Sequence, residues 1–134
     1  MAGTKIEQLS VGDWVAYKGN PVNIWVLGVT PYGFAMEVLS HDQTRKFTIR
    51  LEDAEPIPLT PEILEKNGFR KNGEYNEWNI GEWNERPFIG ISLDRQSMRV
   101  KHLGSDIFVE NKVVCVHQLQ HALRLAGVEK EIEI

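Results

Sequence analysis

The chain has 134 residues, of which 42% are hydrophobic and 25% charged, and this composition is typical of globular proteins rather than disordered ones. Such a length suits one compact domain or two small lobes. The net charge of -4 argues against a phosphate-binding surface, because nucleic-acid-binding domains usually carry a clustered basic excess.

The N-terminal part of the chain predicts four short strands separated by tight turns. Each segment is rich in β-branched and aromatic residues or alternates apolar with polar positions. The four segments are residues 11–17, 22–29, 34–39 and 45–50. Strands this short must bury one face of a strongly bent sheet. We therefore predict a small SH3-like β-barrel lobe over residues 5–58, with an open meander as the alternative.

A short linker helix is predicted next, near residues 61–67. Thr60 can cap the free N–H groups of its first turn, and Pro61 occupies the position where a missing N–H is tolerated. Gly68 can adopt the left-handed backbone conformation that ends a helix, and Phe69 can then fold back onto Leu64.

The second lobe is predicted over residues 59–134, where the linker helix precedes an antiparallel β-meander and a C-terminal helix. Residues 88–93, 98–103 and 107–109 are the predicted strands of this meander, which we place at residues 87–115. Residues 70–87 are polar and carry no predicted strand. The whole chain is therefore predicted to be α+β.

The C-terminal helix is predicted over residues 116–126, with an apolar face formed by Leu119, Leu123 and Ala126. Gly127 ends it. No Ser, Thr, Asp or Asn precedes the helix as an N-cap. The opposite, polar face is formed by His117, Gln118, Gln120, His121 and Arg124.

Two segments resemble a known family. Residues 55–69, which contain Pro-Ile-Pro-Leu-Thr-Pro-Glu-Ile-Leu-Glu-Lys-Asn-Gly-Phe, and residues 116–120, Val-His-Gln-Leu-Gln in the closing helix, are similar to short uncharacterised proteins of gut anaerobes. These proteins often lie among prophage or mobile-element genes. The resemblance covers most of the chain from Leu9 onward. It implies the order β-lobe, helix, β-lobe, helix and a cytoplasmic location, and it assigns no activity, ligand or catalytic residue.

A metal site is considered at His117 and His121, since imidazoles four residues apart on a helix can share a metal ion. A zincin helix, however, requires Glu after the first His, and Gln118 stands there. No third ligand is identifiable near them, because His41 and His102 are distant in sequence. We predict no metal and no other cofactor.

An enzymatic role is also predicted to be absent. Cys115 is the single cysteine, so no intrachain disulfide can form. It precedes His117 by two residues. A lone cysteine in an apolar segment is usually buried and inert, so we predict no Cys–His nucleophile pair and no catalytic residue.

Three aromatic residues, Tyr75, Trp78 and Trp83, stand out in the polar stretch. Large aromatics in such surroundings either anchor a loop to the core or form a recognition surface. They are the predicted binding residues, and their aromatic, acidic surroundings suit a protein, peptide or sugar better than a phosphate backbone.

The predicted function is a protein-interaction module or an accessory factor of a mobile element, with an unidentified protein or peptide partner. Self-association as a homo-oligomer is a further alternative. The runner-up is a nucleic-acid-binding small barrel, which the net charge disfavours and in which four aromatic residues would stack on bases. These are Trp14, Tyr17, Trp25 and Tyr32. The chain shows no secretory signal and no membrane-spanning run, which favours a cytoplasmic location without membrane contact.

Overall fold

A computed structural model describes residues 9–30, 33–72, 76–110 and 113–134, apart from the side chains of residues 29, 30, 33 and 34. The predicted α+β class is confirmed, because these residues form two antiparallel sheets and two α-helices. The chain divides into two compact units: unit 1 is Met1–Ile57 with Ile134, and unit 2 is Pro58–Glu133.

Unit 1 contains a four-stranded antiparallel sheet in the order β1-β2-β3-β4. All four strands were predicted. Their bounds are β1 Trp14–Tyr17, β2 Asn20–Thr30, β3 Gly33–Ser40 and β4 Lys46–Arg50. The described strands of this sheet do not form a closed barrel. The residues of its core are Val15, Val22, Ile24, Met36, Val38, Ile49 and Ala54.

The chain returns to β1 after the fourth strand. A 3-10 helix, Leu51–Asp53, follows β4. Ala16 and Glu55 then exchange two backbone hydrogen bonds, with N···O distances of 2.8 and 2.9 Å. Residue 55 thus lies at the free edge of β1, as a single bridge rather than as a fifth strand.

Unit 2 begins with the predicted helix, α1, at Pro61–Lys66. The Thr60 hydroxyl accepts a hydrogen bond from the Ile63 N–H at 3.3 Å. At the other end Gly68 has φ +88°, and the Phe69 N–H donates to the Leu64 carbonyl at 3.0 Å. Both capping predictions are confirmed.

The second sheet has five antiparallel strands in the order β5-β6-β7-β8-β9. Their bounds are β5 Arg70–Asn72, β6 Glu77–Ile80, β7 Phe88–Ser92, β8 Ser97–His102 and β9 Ser105–Glu110. The meander predicted at residues 87–115 was wrong at both ends. β5 and β6 were missed because polar side chains dominate them, and only Trp78 and Ile80 mark an apolar alternation. At the C-terminal end, Cys115 makes only a single bridge, with Pro58.

Helix α2 spans Val116–Ala126, as predicted, and Gly127 ends it with φ +77°. The Gln118 side chain accepts a hydrogen bond from the Cys115 N–H at 2.9 Å, so a residue inside the first turn supplies the cap that the preceding residues lack. Leu119, Leu123 and Ala126 are buried, as predicted.

The assignment of His117 and Gln120 to an exposed face was wrong, since both are buried. Seven of the eleven residues of α2 are buried, so neighbouring structure covers a much wider stripe than one apolar face. Arg124 is exposed, as predicted, whereas Gln118, which was also predicted to be exposed, is half-buried. Among the described residues, no helix is long and apolar enough to cross a membrane.

Candidate recognition surface

The five-stranded sheet of unit 2 has one buried and one open face. Residues that pair directly across strands lie on the same face of a sheet. One such row crosses all five strands and defines what we call the open face: Arg70, Asn79, Gly90, Arg99 and Phe108. The intervening residues form the buried face, which includes Trp78, Ile89, Ile91, Met98 and Val100.

The three predicted binding residues separate. Trp78 belongs to the buried face, where only 8% of it is exposed and its indole N–H donates to the Asn76 side-chain oxygen at 3.1 Å. Trp83 is 55% exposed. Tyr75 lies outside the described residues. Trp78 therefore fits the first alternative, an anchor in the core, and Trp83 fits the second, an exposed aromatic group.

The segment after β6 fixes the position of Trp83. Gly81 has φ +77°, and a Cβ atom there would lie 2.7 Å from the Pro87 carbonyl oxygen, so the turn requires glycine. The Glu85 N–H donates to the Glu82 carbonyl at 2.8 Å. Arg86 donates from Nη1 to the Trp83 carbonyl at 2.9 Å. These bonds hold the backbone of the segment while the indole stays exposed.

We call five side chains the Trp83 cluster: Trp83, its neighbours Phe88, Arg99 and Lys101, and Phe108, which contacts Arg99. The rings of Trp83 and Phe88 meet edge to face with centroids 5.2 Å apart. The Lys101 ammonium lies 3.9 Å from the Trp83 ring centroid. The Arg99 guanidinium carbon lies 5.7 Å from the Trp83 centroid and 4.9 Å from that of Phe108. Arg99 thus bridges two exposed aromatic rings.

Gly90 permits the arrangement of Phe88. A Cβ atom on Gly90 would lie 3.1 Å from two ring carbons of Phe88 and 3.3 Å from the Asn79 side-chain oxygen. A glycine inside a strand weakens the sheet unless something approaches it closely. Here the Phe88 ring lies against it, and Phe88 is buried although it stands on the open face.

The exposed ion pair and cation–π contacts of the Trp83 cluster contribute little to folding. Arg99 and Asp106 form an ion pair at 3.3 Å, but their side chains are 38% and 50% exposed. Exposed ion pairs contribute about 0–1 kcal/mol, and exposed cation–π contacts about 0.5–1 kcal/mol. These contacts therefore add too little to the free energy of unfolding to explain why two large aromatic rings, Trp83 and Phe108, stay exposed on this face.

A shallow groove of about 400 Å³ follows the open face. Its floor is the glycine and aromatic centre of the sheet, and its rim carries amide, carboxylate and guanidinium groups. Six of its lining residues are Asn79, Glu82, Trp83, Gly90, Arg99 and Phe108. Such a surface can offer stacking, hydrogen bonds and charges of both signs to a ligand.

The aromatic residues of unit 1 that the structure describes do not form a single stacking platform. Trp14 and Tyr17 are separated by an odd number of positions on β1, so they lie on opposite faces of the sheet. Tyr17 packs at 5.6 Å against Phe47, beside the core. Trp25 is 49% exposed under the Lys46 ammonium at 4.4 Å. Tyr32 lies outside the described residues.

The rejected catalytic and metal candidates lie at the start of α2. Burial raises the pKa of the Cys115 thiol, which is the opposite of what activates a nucleophile. The rings of His117 and His121 meet edge to face at 5.9 Å. Within the described ranges, no three His, Cys, Asp or Glu side chains are placed to hold a metal ion. The absence of metal and of enzymatic activity stays a prediction.

Comparison with known proteins gives no match to a protein-family model, to a curated protein or to a solved structure. The resemblance of residues 55–69 and 116–120 to short proteins of gut anaerobes stays a prediction.

Proposed function

We propose that this protein is a non-enzymatic interaction module that binds a protein or peptide partner on the open face of unit 2. One observation carries the proposal: Trp83 is more than half exposed, yet its backbone is fixed and its ring is held by Phe88 and Lys101. Trp, Tyr and Arg are enriched among the few residues that carry most of the binding energy of protein interfaces. Fixing an aromatic ring before binding also lowers the entropy cost of association.

The charges of the groove favour a peptide over a phosphate backbone. Arg99 is already paired with Asp106, and Glu82 lines the same groove. A nucleic-acid surface requires a clustered basic excess, which these neighbouring carboxylates cancel. Aromatic residues and Arg within a polar rim are typical of protein interfaces.

The proposal is tested by selecting peptides from a random display library against the whole protein. We expect Trp83→Ala to weaken the selected peptides about 30-fold, which corresponds to about 2 kcal/mol for a central interface residue. Trp25→Ala is the matched control, because it removes a similarly exposed indole, 49% against 55%, from unit 1. Equal losses in the two variants, or peptides that bind regardless of Trp83, would contradict the proposal.

A second candidate function, binding of single-stranded nucleic acid by unit 1, is favoured by a specific arrangement of cations over rings. Lys18 lies 5.3 Å from the Tyr17 centroid and Arg45 lies 5.8 Å from that of Phe47, along a groove of about 730 Å³. Base stacking beside cations is how such sites bind without sequence preference. Anisotropy titrations of oligo-dT at rising salt test it, since affinity must fall steeply as counterions compete. Affinity that is independent of salt rejects it.

For unit 1 we also propose an SH3-like barrel. The return of Glu55 to β1 after a 3-10 helix supports it, because this pairing begins to close the meander upon its first strand. An accessory role in a mobile element and a cytoplasmic location rest on the resemblance of the two sequence segments. Neighbouring genes that encode no mobile-element proteins would remove the support for that role.

A further inference from the structure

Strand β9 is an edge of the five-stranded sheet, and its turn fixes which backbone groups face outward. Leu103 and Gly104 both have positive φ, 46° and 87°, as a two-residue type I′ hairpin requires. His102 and Ser105, which flank this turn, therefore form a hydrogen-bonded pair. Because such pairs alternate along an antiparallel ladder, residues 105, 107 and 109 direct their N–H and C=O groups toward β8.

The alternate residues of β9, Asp106, Phe108 and Glu110, direct their backbone groups away from the sheet. All three are exposed. In the described part of the chain, no backbone hydrogen bond from a turn or loop reaches any of them. Their side chains lie on the open face, where Phe108 contacts Arg99. The edge thus combines outward hydrogen-bonding groups with one exposed ring of the Trp83 cluster.

We propose that β9 accepts an extended peptide as a sixth, antiparallel strand. The peptide has an aromatic or β-branched residue opposite Phe108, and a Lys or Arg two residues away on each side. The inference rests on the proposed function and specifies how the partner binds. Backbone hydrogen bonds hold such a peptide, and alternate side chains give the specificity.

The charges of β9 determine the flanking residues of this partner. Asp106 and Glu110 stand two residues on either side of Phe108, so both carboxylates lie on the same face as the ring. Opposite charges directly across two strands stabilise their pairing, and like charges oppose it. A peptide with basic residues at the two flanking positions therefore complements this edge: one adds to the exposed Arg99–Asp106 ion pair, and the other pairs with Glu110.

The same charges disfavour a second copy of the chain as the occupant. Two β9 strands paired antiparallel about Phe108 would place Asp106 of one opposite Glu110 of the other, twice. Shifting the register by two residues, which keeps the hydrogen bonds, places Phe108 opposite a carboxylate. Each of these registers places like charges opposite each other or buries a carboxylate against a ring. The geometry therefore favours a basic partner over self-pairing.

The test uses the whole, ¹⁵N-labelled protein and capped synthetic peptides with the core Lys-Val-Trp-Val-Lys. We expect this peptide to bind at least about 10-fold tighter than Glu-Val-Trp-Val-Glu, because one favourable and one repulsive charge pair are exchanged at each end. We also expect the amides of Asp106, Phe108 and Glu110 to exchange more slowly with solvent when the peptide is bound.

Backbone methylation provides the matched control. The N–H of the central Trp points at the Phe108 carbonyl in the proposed register, whereas the N–H groups of the two Val residues point away. N-methylation of the central residue should therefore abolish binding, and N-methylation of either Val should not. In the Glu110→Lys variant, the protein should prefer a Glu rather than a Lys at the peptide position opposite residue 110.

Two results would overturn the inference. One is binding that shifts the Trp83 indole resonance but tolerates central N-methylation and leaves the three amides unprotected; the proposed function would then stand with another binding mode. The other is no binding of the basic peptide. The display selection with Trp83→Ala judges the proposed function separately in that case.

Discussion

The two units use their aromatic residues differently. In unit 1, Tyr17 and Phe47 are partly buried against a core of strand residues and Ala54, although Trp25 is 49% exposed. In unit 2, α2 contacts β8 and β9 while Trp83 and Phe108 lie exposed on the sheet. An aromatic ring therefore indicates a recognition surface only where packing against the core of its own unit does not account for its position.

The largest expected effect sharpens this comparison within unit 2. Trp78→Ala removes an almost completely buried indole and should lower the free energy of unfolding by about 3–5 kcal/mol. Trp83→Ala removes the same side chain from the surface and should cost less than about 1 kcal/mol. Urea denaturation measures both. Similar losses in the two variants would mean that the Trp83 cluster is part of the core.

Helix α2 offers a second matched pair. Leu123 is buried, so Leu123→Ala should destabilise the protein by about 2–5 kcal/mol. Leu125 is 73% exposed, and Leu125→Ala should change stability by no more than about 0.5 kcal/mol. Thermal denaturation followed by circular dichroism distinguishes the two, and a large effect of Leu125→Ala would mean that this side chain is covered in the folded protein.

A smaller effect is expected at the start of α1. Thr60→Ala removes the acceptor for the Ile63 N–H and should cost about 1 kcal/mol. Thr60→Ser keeps a hydroxyl at the same position and should restore most of the stability. If Thr60→Ser is as unstable as Thr60→Ala, packing of the threonine methyl group and not capping is what matters.

The smallest effect concerns an exposed turn of unit 1. Hydrogen bonds from the Thr44 hydroxyl, the Ser40 hydroxyl and the Thr44 N–H lower the pKa of Asp42 from 3.8 to about 2. Because the folded pKa is the lower one, the stabilisation is present above pH 3.8 and is lost as the pH falls through about 2. Thr44→Val should raise this pKa in a carboxyl-carbon NMR titration. An unchanged titration would show that the turn does not form.

The sequence predicted those elements whose local signals agree with their environment. Thr60, Pro61 and Gly68 mark both ends of α1 by local signals, and the turns of unit 1 delimit its strands. β5 and β6 escaped because a strand with one open face carries mostly polar residues, and Trp78 alone could not show which face was covered. Burial of His117 and Gln120 depends on neighbouring structure that helical periodicity does not contain.

The candidate site was predictable in part. Trp83 was singled out as an unexplained aromatic residue in a polar stretch. Its partners Phe88, Arg99, Lys101 and Phe108 were missed, because the register of three strands brings them together. Phe108 shares its face of β9 with Asp106 and Glu110, which alternates with Ile107 and Val109, and that pattern was the available signal of an exposed ring on an edge strand.

The buried thiol of Cys115 makes the first turn of α2 chemically observable. Its pKa is raised by burial, and it is the only cysteine, so a thiol reagent can react quickly only when this turn opens. The modification rate then measures the free energy of local opening, in the same way as amide exchange does. Without any introduced label, the native chain reports how firmly its C-terminal helix is attached and whether a bound peptide tightens it.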